Sequence, residues 1–191
     1  MAVDVANVHI FGSDDDALWL GPPTLDLSSV TLTSTPPATM VECGWLSDEG
    51  GALKMSDSVK SIKGHQGGAE ITQFMDESTT AFTAVLLETK LDIVLWALSA
   101  TATKETGTPA YAKIHAKRSR KVEKLVAIWD TFDTEHPGVR YRYIFPLASL
   151  GERGDLAFKR GEISGWNYSL GILKDFDILT NAEQILAELT P

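Results

Sequence analysis

Cysteine, long apolar runs and a leader segment are scarce or missing in this sequence of 191 residues, and each shortage excludes a class of protein. Cys43 is the one cysteine, so no disulfide can form within the chain. The longest apolar run, residues 93–98, is about a third of the roughly 20 residues that a membrane-spanning helix needs. The first residues, MAVDVANVHI, lack the basic and apolar regions of an export signal. We therefore expect a protein that is made in the cytoplasm and has no membrane as a partner.

Motifs that carry catalysis or bind metals are also missing. The four histidines, His9, His65, His115 and His136, are scattered, and no HExxH, CxxC or paired-histidine spacing suits zinc. No G-x-S-x-G nucleophile motif is present. Cys43 lies in the strand-like run MVECGW without a basic neighbour that would lower the pKa of its thiol. The sequence therefore predicts no catalytic residues, no metal, no cofactor and no enzymatic activity.

Basic residues are few, and their distribution is uneven. The 17 Lys and Arg residues against 26 Asp and Glu give a formal net charge of −9, which argues against a protein that stays bound to nucleic-acid phosphates. Residues 1–57 contain a single base, Lys54. Residues 113–124, which we call the basic segment, have the opposite bias. Their cations are Lys113, Lys117, Arg118, Arg120, Lys121 and Lys124.

The basic segment has three possible uses. Nucleic-acid sites interleave cations with aromatic residues that stack on bases, and here only Tyr111 is near. A nucleic-acid site is therefore disfavoured. We predict an intersubunit charge patch that contacts an acidic surface of a neighbouring copy, with a solvated face as the alternative.

Apolar and polar residues alternate along much of the chain, which is the period of a β-strand. In residues 139–145, for example, Tyr141 and Tyr143 alternate with Arg140 and Arg142. Strands are predicted at 40–46, 69–75, 79–88, 122–132, 139–145 and 162–173, with turns at 47–51, 76–78, 135–138 and 151–155.

Two segments have a helical pattern instead. Apolar residues at i, i+3, i+4 and i+7 from Leu91 predict a helix over 89–100, with Thr89 and Asp92 as a capping box. A shorter helix over 182–189 is predicted behind Thr180 or Asn181 as its N-cap. The predicted fold class is mainly β, a β-sandwich or barrel with one flanking helix over residues 1–180 and a C-terminal arm at 181–191.

Two long segments are predicted to be loops. Residues 20–40 are rich in proline, serine and threonine, a composition that buries little apolar surface. Residues 47–68 exceed the usual hairpin connection of about 2–5 residues, and glycines at both ends supply hinges. Apolar residues at roughly alternate positions would allow this second segment to extend the flanking strands. They are Leu53, Met55, Val59 and Ile62.

Several of these segments follow one another in an order that resembles one family. The chain has ALWLGPP, a Gly-Trp strand, the SDEGG turn, a variable loop ending in GHQGG, strands around MDESTT, and LLET running into the helix. This compound pattern resembles the major tail protein, or tail tube protein, of bacteriophages with long non-contractile tails. The resemblance is strongest at 41–100 and looser elsewhere, where WDTFDTEHPGVRYRYIFPLASL has a similar layout.

The resemblance implies a β-sandwich that forms six-membered rings, which stack into a hollow, acidic-lined tube through which the genome leaves the particle. DNA is then a transient passenger that an acidic wall does not retain. The implied partners are other copies of the chain, a tape measure protein, and tail terminator and tip proteins, and the implied location is the virion tail.

The resemblance also implies which residues make the contacts. Segment 47–68 would reach the adjacent ring, and Asp76 and Glu77 are candidate acids of the tube lumen. The implied ring-stacking residues are Asp48, Glu49, Leu53, Met55, Val59, Ile62, Lys63 and His65.

Two other readings remain open at this point. A tail terminator or a secretion-tube subunit would share the fold, but a terminator stops at one ring whereas a tube protein polymerises along an axis. A β-sandwich that binds carbohydrate would use some of the five tryptophans as a platform. These are Trp19, Trp45, Trp96, Trp129 and Trp166.

Overall fold

The computed structural model describes residues 8–65 and 67–189, and these residues form ten strands and two short helices. The strands arise where apolar and polar residues alternate. The strands are β1 (Ala17–Gly21), β2 (Val41–Glu42), β3 (Leu46–Lys63), β4 (Glu70–Leu86), β5 (Thr101–Glu105), β6 (Tyr111–His115), β7 (Glu123–Phe132), β8 (Arg140–Arg153), β9 (Trp166–Ile172) and β10 (Asp177–Thr180), and the helices are α1 (Leu91–Leu98) and α2 (Glu183–Glu188). The prediction of a mainly-β fold with a short helix is confirmed. Neither helix in the described ranges is long and apolar enough to cross a membrane.

Most strands belong to one antiparallel sheet in the order β2-β1-β7-β8-β9-β4-β3. Strand β8 pairs with β7 along one edge, and its other edge is shared by β10 and then β9. The hairpin β5–β6 forms a separate two-stranded sheet that was not predicted from the sequence.

The main core lies where this sheet curls over itself. The ring of Phe82 on β4 lies 5.5 Å from that of Trp129 on β7, although two strands separate β4 from β7 in the sheet. Helix α1 covers this core with Ile93 and Ala97, and the Tyr168 hydroxyl donates to the Ile93 carbonyl at 2.6 Å. Strand β4 is exposed over its first ten residues and enters this core only at its C-terminal end, through Phe82, Ala84 and Leu86.

A second apolar cluster lies on the opposite face of β7. Leu125 and Ala127 face the main core, whereas Val126 and Ile128 contact Leu27 and Met40 of the Pro/Thr-rich segment. The prediction that this segment, residues 20–40, buries little apolar surface is wrong, because β7 has two apolar faces and the segment covers one of them. This also explains why β7 reads as a continuous apolar run.

The predicted loop at 47–68 and the predicted turn at 76–78 are both wrong. Residues 47–63 lie within β3 and residues 76–78 within β4, and the two strands pair along nearly their whole length. The turn-like SDEGG forms an irregularity within the β3–β4 ladder. Leu46 lies opposite Leu86 and Gly51 opposite Ala84, so five residues of β3 correspond to two of β4. Instead, the alternating apolar residues of this segment extend the flanking strand, as their spacing allows.

The helix caps also differ from the predictions. Helix α1 has Lys90 at its N-cap without a side-chain hydrogen bond, and the Thr89 hydroxyl instead accepts from the Trp166 indole N–H at 3.3 Å. Helix α2 has Ala182 at its N-cap, although the Thr180 hydroxyl accepts from the Ala182 N–H at 3.1 Å.

Candidate assembly surface

A two-stranded arm projects from the sheet where β3 and β4 leave the core. We define the arm as residues 54–80. Strand β9 pairs with β4 only over Ala81–Leu86, so within the described residues the arm strands pair with each other alone. The ten residues 54–63 would span about 33 Å at roughly 3.3 Å per residue.

One face of the arm continues the face of the main core. Leu53 lies opposite Phe82, Met55 opposite Thr80, and Val59 opposite Met75. Directly opposed residues, and alternate residues along a strand, share a face. Leu53 is half-buried against the core, whereas Met55, Val59 and Met75 are 71%, 55% and 54% exposed. The core face therefore continues along the arm without a covering layer. It is interrupted by Asp57, which accepts a hydrogen bond from the Ser78 hydroxyl at 2.6 Å.

The opposite face of the arm is mixed in character. Phe74 lies opposite Lys60, and Ile62 opposite Thr72, with both apolar side chains exposed. Ile71 lies at a register irregularity near the tip and is also exposed. Several exposed apolar side chains on one hairpin are typical of a protein–protein contact rather than of a free surface.

The structure brings most of the predicted ring-stacking residues together on this arm. Met55, Val59, Ile62 and Lys63 belong to the outer part of β3, and His65 lies at the tip. Leu53 marks the point where the arm meets the core. Asp48 and Glu49 do not join them, because they lie at the base of β3 in the irregularity before Gly51.

The two candidate lumen acids also lie on the arm. Glu77 pairs with Ser58, and Asp76 is the extra residue of β4 at the irregularity between Ser58 and Val59. Both acids are exposed. Glu77 therefore lies on the opposite face of the arm from Met55 and Val59, midway between base and tip.

The basic segment lies away from the arm, and its cations are largely unpaired. Lys113 is on β6 and Lys124 on β7, and the other four lie in the connection between these strands. All six are exposed, and in the part of the chain that the structure describes only Lys121 has a carboxylate within 4 Å, at 3.4 Å from Glu123. The segment is held at its end by the Arg153 guanidinium, which donates to the Lys121 and Trp96 carbonyls at 3.2 Å.

The tryptophans do not form a carbohydrate platform in the described residues. Trp129 is buried, and Trp19, Trp96 and Trp166 are half-buried against the sheet or helix. Trp45 alone is strongly exposed, with its backbone N–H held by the Glu88 carboxylate at 3.0 Å. A single exposed ring gives no support to the carbohydrate-binding alternative.

One polar cluster was missed by the sequence analysis. His9, Asp133 and His136 meet where residues 8–11 run beside the turn after β7, with one ligand atom of each lying within 4.8 Å of the others. Burial by itself raises the pKa of Asp133, but hydrogen bonds from His9, His136 and two backbone N–H groups outweigh it and hold that pKa well below its usual range. The spacing of 124 residues between His9 and Asp133 hides this cluster from any motif search.

The environment of Cys43 leads to a prediction about its reactivity. The thiol is fully buried in the main core, and this burial raises its pKa to about 12. Only the thiolate is an effective nucleophile. We expect the native protein to react with an aromatic disulfide reagent at pH 8 at least about 100-fold more slowly than the denatured chain. Reaction of the native thiol at the denatured rate would contradict the placement of Cys43 in the core.

Comparison with known proteins gives no family assignment. A scan against models of protein families and a search of curated proteins found no match to the chain.

Proposed function

We propose that this chain is a structural subunit of a bacteriophage tail tube, which assembles with copies of itself into six-membered rings that stack into a hollow, acidic-lined conduit for DNA. The observation that carries the proposal is the arm, a paired hairpin whose apolar face continues the core and has no cover within the described chain. The family resemblance of residues 41–100 supplies the ring and tube geometry.

The energetics of the arm favour contact with another copy. Burying a large apolar side chain contributes about 1.5–3 kcal/mol, and three such side chains line the core-side face of each arm. A hairpin of two strands cannot bury that face by itself. A ring presents one arm per subunit, so the gain is multiplied around the ring when two rings meet.

The charge of the chain suits a conduit. Its net charge of −9 means that an assembly of many copies repels DNA phosphates on average. A passage that must release DNA benefits from weak binding to it. Asp76 and Glu77 are the acids that we place along the lumen, since both are exposed on the arm. The other proposed partners are the tape measure, terminator and tip proteins of the same virion tail.

Electron microscopy of the purified protein tests the proposal. Negatively stained samples over a range of concentrations should show rings and then tubes with a central channel. A terminator would give rings that do not lengthen with concentration. Monomers without rings at any concentration would contradict the proposed function.

The basic segment gives a prediction on the salt dependence of assembly. Replacing Lys117, Arg118, Arg120 and Lys121 by Ser should weaken assembly and flatten its dependence on salt, because exposed ion pairs contribute about 0.2–1 kcal/mol each and are screened by salt. Light scattering between 50 mM and 500 mM NaCl would measure both effects. The matched control replaces four exposed cations outside the segment by Ser, namely Lys104, Lys159, Arg160 and Lys174. An unchanged salt slope in the fourfold variant would show that the segment is only a solvated face.

A further inference from the structure

The cluster of His9, Asp133 and His136 has the geometry of an ion site. Both imidazole Nδ1 atoms converge on one oxygen, Asp133 Oδ2, at 2.5 Å from His9 and 2.9 Å from His136. Asp133 is fully buried, whereas His9 and His136 keep side-chain exposures of 17% and 31%. The carboxylate of the cluster is therefore buried, whereas the two imidazole rings are accessible to solvent.

From this arrangement we infer that His9, Asp133 and His136 bind one divalent transition-metal ion of the zinc class. Two imidazole nitrogens and a carboxylate oxygen are a ligand set that zinc accepts, with a solvent molecule as the fourth ligand. The prediction that no metal binds considered only neighbouring residues in the sequence, and this proposal replaces it.

The distances require only a small adjustment. Zinc ligands lie about 2.0–2.2 Å from the ion, which places tetrahedral ligand atoms roughly 3.4 Å apart. The three ligand atoms lie within 4.8 Å of one another. The two nitrogens would therefore approach each other by up to about 1.4 Å and move away from Oδ2 by less than about 1 Å. Each imidazole would bind the ion through Nδ1 and would carry no proton on that atom, so that a metal bond replaces each N–H···O bond.

The carboxylate is already oriented for this role. Its second oxygen, Asp133 Oδ1, accepts from the backbone N–H groups of Glu135 and His136 at 2.8 Å and 3.2 Å. These bonds leave Oδ2 directed at the histidines. Outer hydrogen bonds that fix a ligand in this way are typical of metal sites.

A metal here would clamp the segment before β1 to the turn between β7 and β8. That segment already lies beside the turn. The Thr134 N–H donates to the Ile10 carbonyl at 2.8 Å, and Phe11 and Asp133 form an isolated antiparallel β-bridge. The site joins residues that are far apart in sequence, so the bound ion should stabilise the folded chain without any reference to assembly.

Zinc titration of the full-length, untagged protein tests the site. After chelator treatment and dialysis, calorimetry with ZnCl2 should give one ion per chain, and excess Zn²⁺ should raise the melting temperature by about 5 °C or more. Co²⁺ in place of Zn²⁺ should give the visible absorption of a tetrahedral site.

Two variants and a control make the result decisive. H9Q and H136Q retain an amide donor for Asp133 but lose an imidazole ligand, and each should weaken zinc binding more than about tenfold. H115Q removes an exposed histidine outside the cluster and should bind zinc like the parent. Circular dichroism would establish that all three variants are folded. The proposal would be overturned if the parent bound no stoichiometric zinc, or if H9Q and H136Q bound zinc as tightly as the parent. The cluster would then serve only to hold the two chain segments together by hydrogen bonds.

Discussion

A subunit whose arm has been replaced by a tight turn is expected to fold normally and to form no tubes. The replacement exchanges residues 56–79 for Asn-Gly, which joins Met55 and Thr80, a pair that already lie directly opposite each other. Asn-Gly is the preferred two-residue connection of a hairpin. The removed residues are almost all exposed, whereas Leu53 and Phe82 stay in the core. Their loss should therefore change the free energy of unfolding little.

The shortened subunit should fail in assembly because Val59, Met75 and the projecting strands that carry them have gone. Electron microscopy and sedimentation at concentrations where the parent forms tubes would measure this. Deleting only part of β3 would be a poorer test, since it would leave the outer half of β4 without hydrogen-bond partners. Tubes of normal length from the shortened subunit would contradict the assignment of the arm.

Point variants separate the apolar face from the mere presence of an arm. The triple variant M55S, V59T and M75S keeps the hairpin but removes three apolar side chains from one face. Each lost side chain should raise the concentration needed for assembly by about 10-fold or more. The control variant F158S and I163S changes two strongly exposed apolar residues outside the arm and should assemble like the parent.

The second large effect is expected at a buried ion pair. The Arg142 guanidinium donates to both carboxylate oxygens of Asp130, at 2.6 Å from Nε and 2.7 Å from Nη2. Its Nη1 donates to the Thr31 and Ser34 carbonyls at 2.6 Å, so the same side chain fastens the Pro/Thr-rich segment to the sheet. R142M would leave a buried carboxylate and two partly buried carbonyls without these donors.

We expect R142M to lose about 3–5 kcal/mol of unfolding free energy, as is typical when one member of a buried pair is removed. Urea denaturation would measure the loss. The double variant R142M and D130L removes both charges and should recover part of it, and K174M is a control at an exposed position. A loss below about 1 kcal/mol in R142M would show that the segment is held by Leu27 and Met40 rather than by Arg142.

The parts of the fold that were predictable from the sequence are those governed by local periodicity. The alternation around Tyr141 and Tyr143 predicted the first half of β8, and the i, i+3, i+4 pattern predicted α1. Prediction from local composition failed where hydrogen bonding to a neighbouring strand determines the backbone conformation. The acidic and serine-rich residues 76–78 look like a turn, yet they continue β4 because β3 supplies hydrogen-bond partners alongside them.

Long-range contacts explain the remaining misses. Nothing local indicates that Arg142 reaches Ser34, so the Pro/Thr-rich segment looks like an exposed loop. The meeting of His9 with Asp133 depends on how the chain before β1 follows the turn after β7. For the assembly surface, the alternating apolar residues from Leu53 to Ile62 were recognisable in the sequence. Their placement on a projecting hairpin follows only from the register with β4.

Hydroxyl-radical footprinting of Met55 and Met75, in the free subunit and in the assembled protein, tests most directly whether the arm is buried between copies. Both residues are more than half exposed in the single chain, so their thioethers should oxidise readily in that state. Phe158, which is 83% exposed and lies outside the arm, serves as the internal reference. We predict that assembly slows oxidation of both methionines at least about tenfold relative to Phe158. Oxidation of Met55 and Met75 at the same rate in tubes as in free subunits would contradict the proposal that the arm joins one copy to the next.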